Sequence, residues 1–156
     1  MSEGRRSAPA RGDTIAIAAD HAGVALKAAL AKELEALGYK LVDLGTNSPD
    51  SVDYPDFAKA VADAIASRRA QWGVLVCGTG IGMGMAANRH SAVRAAVVHD
   101  ALSAKLARQH NDANVLALGA RLLGDEVAKD AARVFFSTSF EGGGRHERRV
   151  AKLSAK

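Results

Sequence analysis

The chain contains one cysteine in 156 residues. It therefore forms no internal disulfide, and its framework is not that of a disulfide-stapled secreted domain. Aromatic residues make up only 4% of the chain. Neither of its basic ends carries the aromatic interleaving of a nucleic-acid-binding face, so nucleic acid is not an expected partner. No apolar run reaches membrane-spanning length, so no membrane partner is expected either. The N-terminus lacks the apolar core of a secretory signal, and a cytoplasmic location is expected. No internal repeat or low-complexity tract interrupts the chain.

The net charge is +4, and much of it sits at the ends. Arg5, Arg6 and Arg11 lie in a small polar segment, residues 1–12, which reads as a disordered tail. Arg145, Arg148, Arg149, Lys152 and Lys156 crowd the other end. Small anionic ligands account for such focused arginines. The remainder, 13–156, is long enough to bury one core and reads as a single domain.

Short apolar runs alternate with amphipathic segments. Strands are expected at Thr14–Ala19, Tyr39–Leu44, Trp72–Cys77, Val93–Val98 and Val115–Leu118. Helices are expected at Val24–Leu37, Phe57–Arg69, Gly84–Arg89, Ala101–Arg108, Gly124–Phe136 and His146–Leu153. Strand–helix alternation at this spacing predicts βαβ units, a five-stranded parallel sheet and a three-layer α/β/α, Rossmann-like domain. The strands read as continuously apolar, as strands covered on both faces should. Ligands of such sheets bind beyond the carboxyl ends of the strands. That rule places Asp20, His21, Asp53, Tyr54, Cys77 to Gly84, His99, Asp100 and Arg121 at one edge. His110, Arg145 and Arg149 are expected to join them there.

The most informative run is Cys77-Gly78-Thr79-Gly80-Ile81-Gly82-Met83-Gly84. A strand ends in a thiol, and glycines follow at alternate positions. A thiol against backbone N–H groups at a helix start is in the environment that makes cysteine reactive, and an anion would bind there too. Several known loops fail. A dinucleotide fingerprint needs glycine where Met83 stands. A Walker A loop needs a lysine, and none occurs between Cys77 and Arg89. A cysteine phosphatase would carry arginine at Met83. No second cysteine is available for a redox pair or zinc site.

Each candidate also has a plain structural reading. Cys77 could be an inert buried cysteine. Asp20 could cap the next helix. His110, at a helix end, could serve the helix dipole. Arg121 could be a solvated charge, and Tyr54 a helix-entry residue. Arg145 and Arg149 share a helical face that is either a solvated basic surface or a phosphate clamp.

The segments Ala19-Asp20-His21-Ala22-Gly23, Asp53-Tyr54-Pro55, Cys77 to Met83, Ala86-Ala87-Asn88, Arg108 to Asn114 and Gly142-Gly143-Gly144-Arg145-His146 resemble one family together. This is the ribose-5-phosphate isomerase type B family, which includes the galactose-6-phosphate isomerase subunits. The likeness runs from about Thr14 to Val150. It implies interconversion of ribose 5-phosphate and ribulose 5-phosphate through a cis-enediolate, without metal or cofactor, by a homodimer or homotetramer. It implies that Cys77 is the base, with Thr79 beside it in the catalytic loop, and that His110 assists ring opening. Asp20, His21, Tyr54, Asn111 and Arg121 are implied substrate contacts. Arg145 and Arg149 are implied phosphate ligands. Gly78, Gly80, Gly82, Met83 and Gly84 are implied donors of amides to the intermediate. Family sites draw on two subunits, so His110, Asn111 and Arg121 are expected to serve a neighbour. Some members use a glutamate later in the loop, but no acidic residue lies between Gly78 and Arg89 here. Gly84 stands where many relatives have serine. Hexose 6-phosphate isomerisation and non-catalytic phosphosugar binding are the alternatives.

Overall fold

The computed structural model describes residues 7–154. Residues 1–6, half of the expected tail, lie outside the described residues. The other half is fastened to the domain. Ala8 N–H donates to Ser139 Oγ (3.2 Å), the Tyr39 hydroxyl donates to the Pro9 carbonyl (3.3 Å), and Gly12 N–H donates to the Gly38 carbonyl (2.9 Å).

Five strands form one parallel sheet: β1 (Thr14–Ala19), β2 (Lys40–Asp43), β3 (Trp72–Cys77), β4 (Ala95–Val97) and β5 (Val115–Gly119). Their order across the sheet is β2-β1-β3-β5-β4. The helices are α1 (Val24–Ala36), α2 (Tyr54–Ala66), α3 (Ile81–Ala87), α4 (Ala101–Asn111), α5 (Asp125–Phe135) and α6 (Arg145–Ser154). A single 3₁₀ turn, His21–Gly23, leads into α1.

Right-handed crossovers assign each helix to a face. The steps β1 to β2 and β4 to β5 run one way across the sheet, so α1 and α4 cover the same face. The steps β2 to β3 and β3 to β4 run the other way, so α2 and α3 cover the opposite face. The buried clusters agree. Leu26, Leu30 and Leu34 of α1, Ala104 and Ala107 of α4, and Ala128, Ala131 and Phe135 of α5 pack on Ile15, Ile17, Val74, Val76, Leu116 and Leu118. Ala58, Val61 and Ala62 of α2, with Met83 and Ala87 of α3, pack on Ala16, Ala18, Leu75, Cys77, Val115 and Ala117. The two faces thus differ in grain, one branched and bulky, the other built largely from small side chains. At Gly73 an added Cβ would sit 2.7 Å from Val61 Cγ1, which shows how closely α2 lies on the sheet.

The strands are not uniformly apolar. β2 and β4 are the sheet's edges and are only half covered, and β2 carries Lys40 and Asp43. Boundaries shift from expectation by up to three residues, three of them for visible reasons. α2 starts at Tyr54 because Pro55 fits the first helical turn. α3 starts at Ile81, its glycines notwithstanding, because Met83 and Ala87 are buried one turn apart. α4 continues to Asn111, where Asp112 turns left-handed (φ 46°) and ends it. Among the described residues, no helix is long and apolar enough to cross a membrane.

Candidate active site

The strand order reverses direction between β1 and β3, and the loops after those strands face each other across that crevice. Backbone bonds lock the three strand ends together. Asp20 N–H donates to the Val76 carbonyl (3.0 Å), Ala120 N–H to the Cys77 carbonyl (2.8 Å), and Arg121 N–H to the Gly78 carbonyl (2.9 Å). Cys77 ends β3 and is 4% exposed. Gly80 N–H donates to its Sγ at 3.1 Å. Gly80 has φ +79°, and a Cβ there would lie 3.0 Å from the Leu118 carbonyl carbon, so the loop needs glycine at that point. Ile81 N–H donates to Thr79 Oγ1 (3.2 Å).

Around this loop the structure gathers Asp20, His21, Tyr54 and Arg121. Asp20 is buried and accepts from Ala22 N–H (2.9 Å), so the capping role is real and occupies one oxygen. His21 Nδ1 accepts from Val52 N–H (3.2 Å), which leaves Nε2 as the protonated nitrogen of the neutral ring. The Tyr54 ring lies on Gly82, where an added Cβ would meet Cζ at 2.7 Å. Arg121 lies on Gly78, where an added Cβ would meet Nη1 at 3.1 Å. A phenol and a guanidinium therefore pack on the loop that follows the thiol, and a carboxylate and an imidazole sit on the adjoining turn after β1.

The amide cradle is shorter than the glycine spacing implied. Gly84 N–H is already donated to the Gly80 carbonyl (3.0 Å), and the residue is packed against Val97 inside α3. Its amide is not available to an intermediate. The Met83 side chain is fully buried, so only its backbone can reach a ligand. Gly82 and Met83, in the first turn, keep amides without intrahelical acceptors. His99 and Asp100 do not join the site. Asp100 caps α4 in a reciprocal pair with Ser103, and those bonds hold its carboxyl below the usual range.

The expectation of one shared edge fails for His110, Arg145 and Arg149, and Asn111 lies at the same end as His110. Each helix between parallel strands returns the chain to the amino edge, and α4 ends there. Asn114 marks that edge. Its carbonyl accepts from Gly73 N–H at the start of β3, and its N–H donates to the Arg94 carbonyl before β4. α6 packs on α4 and carries Arg145 and Arg149 to the same end. A second cluster results. His110 and His146 stack with centroids 4.2 Å apart and planes 6° apart. Partial burial, then His110 and Arg145, hold the His146 imidazole below the ordinary histidine range.

Sequence reasoning missed several residues. Lys27 is 2% exposed and donates to both Asp43 carboxylate oxygens (2.7 and 2.9 Å) and to Asn47 Oδ1 (2.6 Å). It shares the stripe of Leu30 and Leu34, and that register was the available signal. Asp112 is 2% exposed and bridges Arg94 and Arg108, which cover the start of β5. His146 ends a quoted motif and Glu141 immediately precedes it, but neither is given a role by the sequence.

Fold and site define a doubly covered α/β domain whose polar groups converge on a sheet switch point, a class of scaffold that takes small ligands there. A family model described as Ribose/Galactose Isomerase matches residues 15–153. The chain is 43% identical over 141 residues to ribose-5-phosphate isomerase B of Escherichia coli, covering 90% of this chain and 94% of that one. It is 46% identical over 139 residues to a putative sugar phosphate isomerase of Rickettsia conorii, covering 89% and 96%. The crystal structure of a ribose 5-phosphate isomerase from Thermotoga maritima superposes with a TM-score of 0.88 at 48% identity, covering 91% and 97%. The chain belongs to the ribose/galactose isomerase family.

Proposed function

We propose that this protein interconverts ribose 5-phosphate and ribulose 5-phosphate, with Cys77 as the base. The observation that carries the reading is the buried Cys77 sulfur at the switch point, held by Gly80 N–H, with Arg121 and Tyr54 packed on Gly78 and Gly82 of its loop. Moving a carbonyl from C1 to C2 removes a weakly acidic proton and returns it to the neighbouring carbon. One base on one face performs both transfers through a cis-enediolate. Cys77 takes the C2 proton of the open aldose as thiolate and delivers it to C1 as thiol. The Gly82 and Met83 amides, with Thr79 beside them, stand nearest the developing oxyanion. Donors of this kind typically contribute 10²–10³ in rate each, roughly.

The remaining groups come from a second copy. His110, Asn111, Arg145 and Arg149 lie at the opposite edge of the same sheet, and a second subunit brings its own set over Cys77. His110 then moves protons on the ring oxygen and the C1 hydroxyl during ring opening. Arg145 and Arg149 bind the phosphate, which orients C1 and C2 over the sulfur. Arg121 lies against the Cys77 loop of its own chain, so it acts there rather than in a neighbour.

The test is deuterium incorporation from D₂O into ribose 5-phosphate and ribulose 5-phosphate, followed by NMR. Wild type exchanges the transferred hydrogen. Cys77→Ala loses on the order of 10²–10⁴ in rate and still binds the phosphosugar. Full exchange by Cys77→Ala would remove Cys77 as the base. Binding without exchange in wild type would make the protein a phosphosugar-binding module. A higher kcat/KM for allose 6-phosphate would move the substrate to the hexoses.

A further inference from the structure

We propose that His110, Glu141 and His146 form an inhibitory zinc site. One ligand atom from each of the three lies within 4.8 Å of the other two. Two imidazoles and a carboxylate are a donor set that zinc accepts with one position left open. The three come from pieces of structure that pack together, although β5 and α5 separate the first from the other two in sequence. His110 is in the last turn of α4, Glu141 is in the strap between α5 and α6, and His146 is in the first turn of α6. Glu141 N–H donates to the Gln109 carbonyl (3.0 Å), which pins the strap beside His110. Gly143, at φ +84°, turns the chain back toward α6, and its N–H donates to Glu147 Oε2 (2.7 Å).

Tetrahedral zinc holds nitrogen and oxygen ligands at about 2.0–2.2 Å, which sets them about 3.3 Å apart. The present spread closes to that by side-chain rotation. The parallel imidazoles turn out of their stack, because each lone pair must lie in its own ring plane. Glu141 is exposed and Gly142 to Gly144 flank it, so the strap can follow without disturbing the sheet. Arg145 and Arg149 add positive charge beside His146 and oppose the dication, and the Glu141 carboxylate offsets part of that charge. Zinc held here occupies the one His110 nitrogen that could accept a proton and leaves the other only as an N–H donor, so the ring can no longer pass a proton. The inhibition rests on the proposed role of His110 in ring opening; the binding does not.

The experiment uses untagged full-length protein. Isothermal titration with ZnCl₂ measures stoichiometry, and Co²⁺ substitution reports coordination through its visible bands. Expected are one equivalent per chain and four-coordinate Co²⁺ bands. Affinity falls by about tenfold or more in both Glu141→Gln and His146→Asn and is unchanged in Cys77→Ser. Zinc also inhibits isomerisation by wild type, and Glu141→Gln, with normal activity before zinc is added, needs at least a tenfold higher zinc concentration. Absence of binding at 100-fold molar excess, retention of binding in both ligand variants, or its loss in Cys77→Ser would overturn the site. Binding that follows the ligand variants without inhibiting would uphold the site and count against the role of His110.

Discussion

Replacing Asp112 with alanine is expected to be the most damaging single change away from the Cys77 loop. Asp112 is 2% exposed and Arg108 is fully buried. Its carboxylate oxygens accept from Arg108 Nη1 and Arg94 Nη2, each at 3.0 Å. Removing one partner of a buried ion pair costs about 3–5 kcal/mol, because the other charge stays in the interior. Alanine also tolerates the left-handed backbone at this position poorly, which adds about 1 kcal/mol. Against this, Arg108 keeps its bonds to the Ala113 and Thr138 carbonyls (2.6 and 3.2 Å). It also stays over the Trp72 and Phe135 rings, at 4.8 and 5.8 Å from their centroids. Those contacts place the loss near the lower end, about 4 kcal/mol, a large part of the 5–15 kcal/mol typical of a domain. At roughly 2–4 °C per kcal/mol the melting temperature falls by about 8–16 °C. Asp112→Asn keeps both the backbone tolerance and an acceptor, so it should lose about half as much. Urea unfolding and calorimetry at matched protein concentration decide the matter, since oligomerisation would otherwise shift both. A loss below about 1 kcal/mol for Asp112→Ala, or equal losses for the two variants, would refute the reasoning.

Two other changes separate structure from function. Lys27→Met replaces a buried ammonium with an apolar group of similar length, so unfolding free energy should move by less than about 1.5 kcal/mol. The loop Gly45–Asn47 loses its anchor, and KM for ribose 5-phosphate should rise roughly tenfold with kcat little changed; unaltered steady-state kinetics would show that this loop does not touch substrate. For Asp100 the folded carboxyl lies below its usual value of 3.8, because Ser103 donates to the ionised form. Its contribution is therefore present above that value and is lost as pH falls through the lowered one. Melting curves of Asp100→Ala should differ from wild type at pH 7 and converge toward it progressively as pH falls below the usual carboxyl value, and a constant difference would rule out the cap charge.

The periodicity carried the architecture well because burial on two faces writes itself into a strand as a continuous apolar run. Thr14–Ala19 and Trp72–Cys77 were legible to the residue for that reason. The strand order was not, since every parallel strand reads alike and only packing chooses β5 as the neighbour of β3. The α3 start was missed because glycine is a poor helix former, and burial of Met83 and Ala87 outweighs that preference. Cys77 and its loop stood out locally. The separation of His110 from Cys77 was legible only through topology, since a helix that follows one parallel strand delivers its end to the far edge. Lys27, Arg108 and Asp112 were read past because charges default to the surface, and their burial depends on partners distant in sequence or space.

The unequal grain of the two sheet faces bears on how this sequence can drift. Beneath α1, α4 and α5, Ile, Val, Leu and Phe meet, and such side chains can exchange for one another with repacking. Beneath α2 and α3, Ala16, Ala18 and Ala117 are fully buried and Gly73 leaves no room for an added methyl, so larger side chains are poorly accommodated there. Cys77 ends its strand on that tight face. The layer that seats the sulfur is then the one expected to tolerate the fewest substitutions, while the opposite layer has room to exchange one branched side chain for another under the same fold.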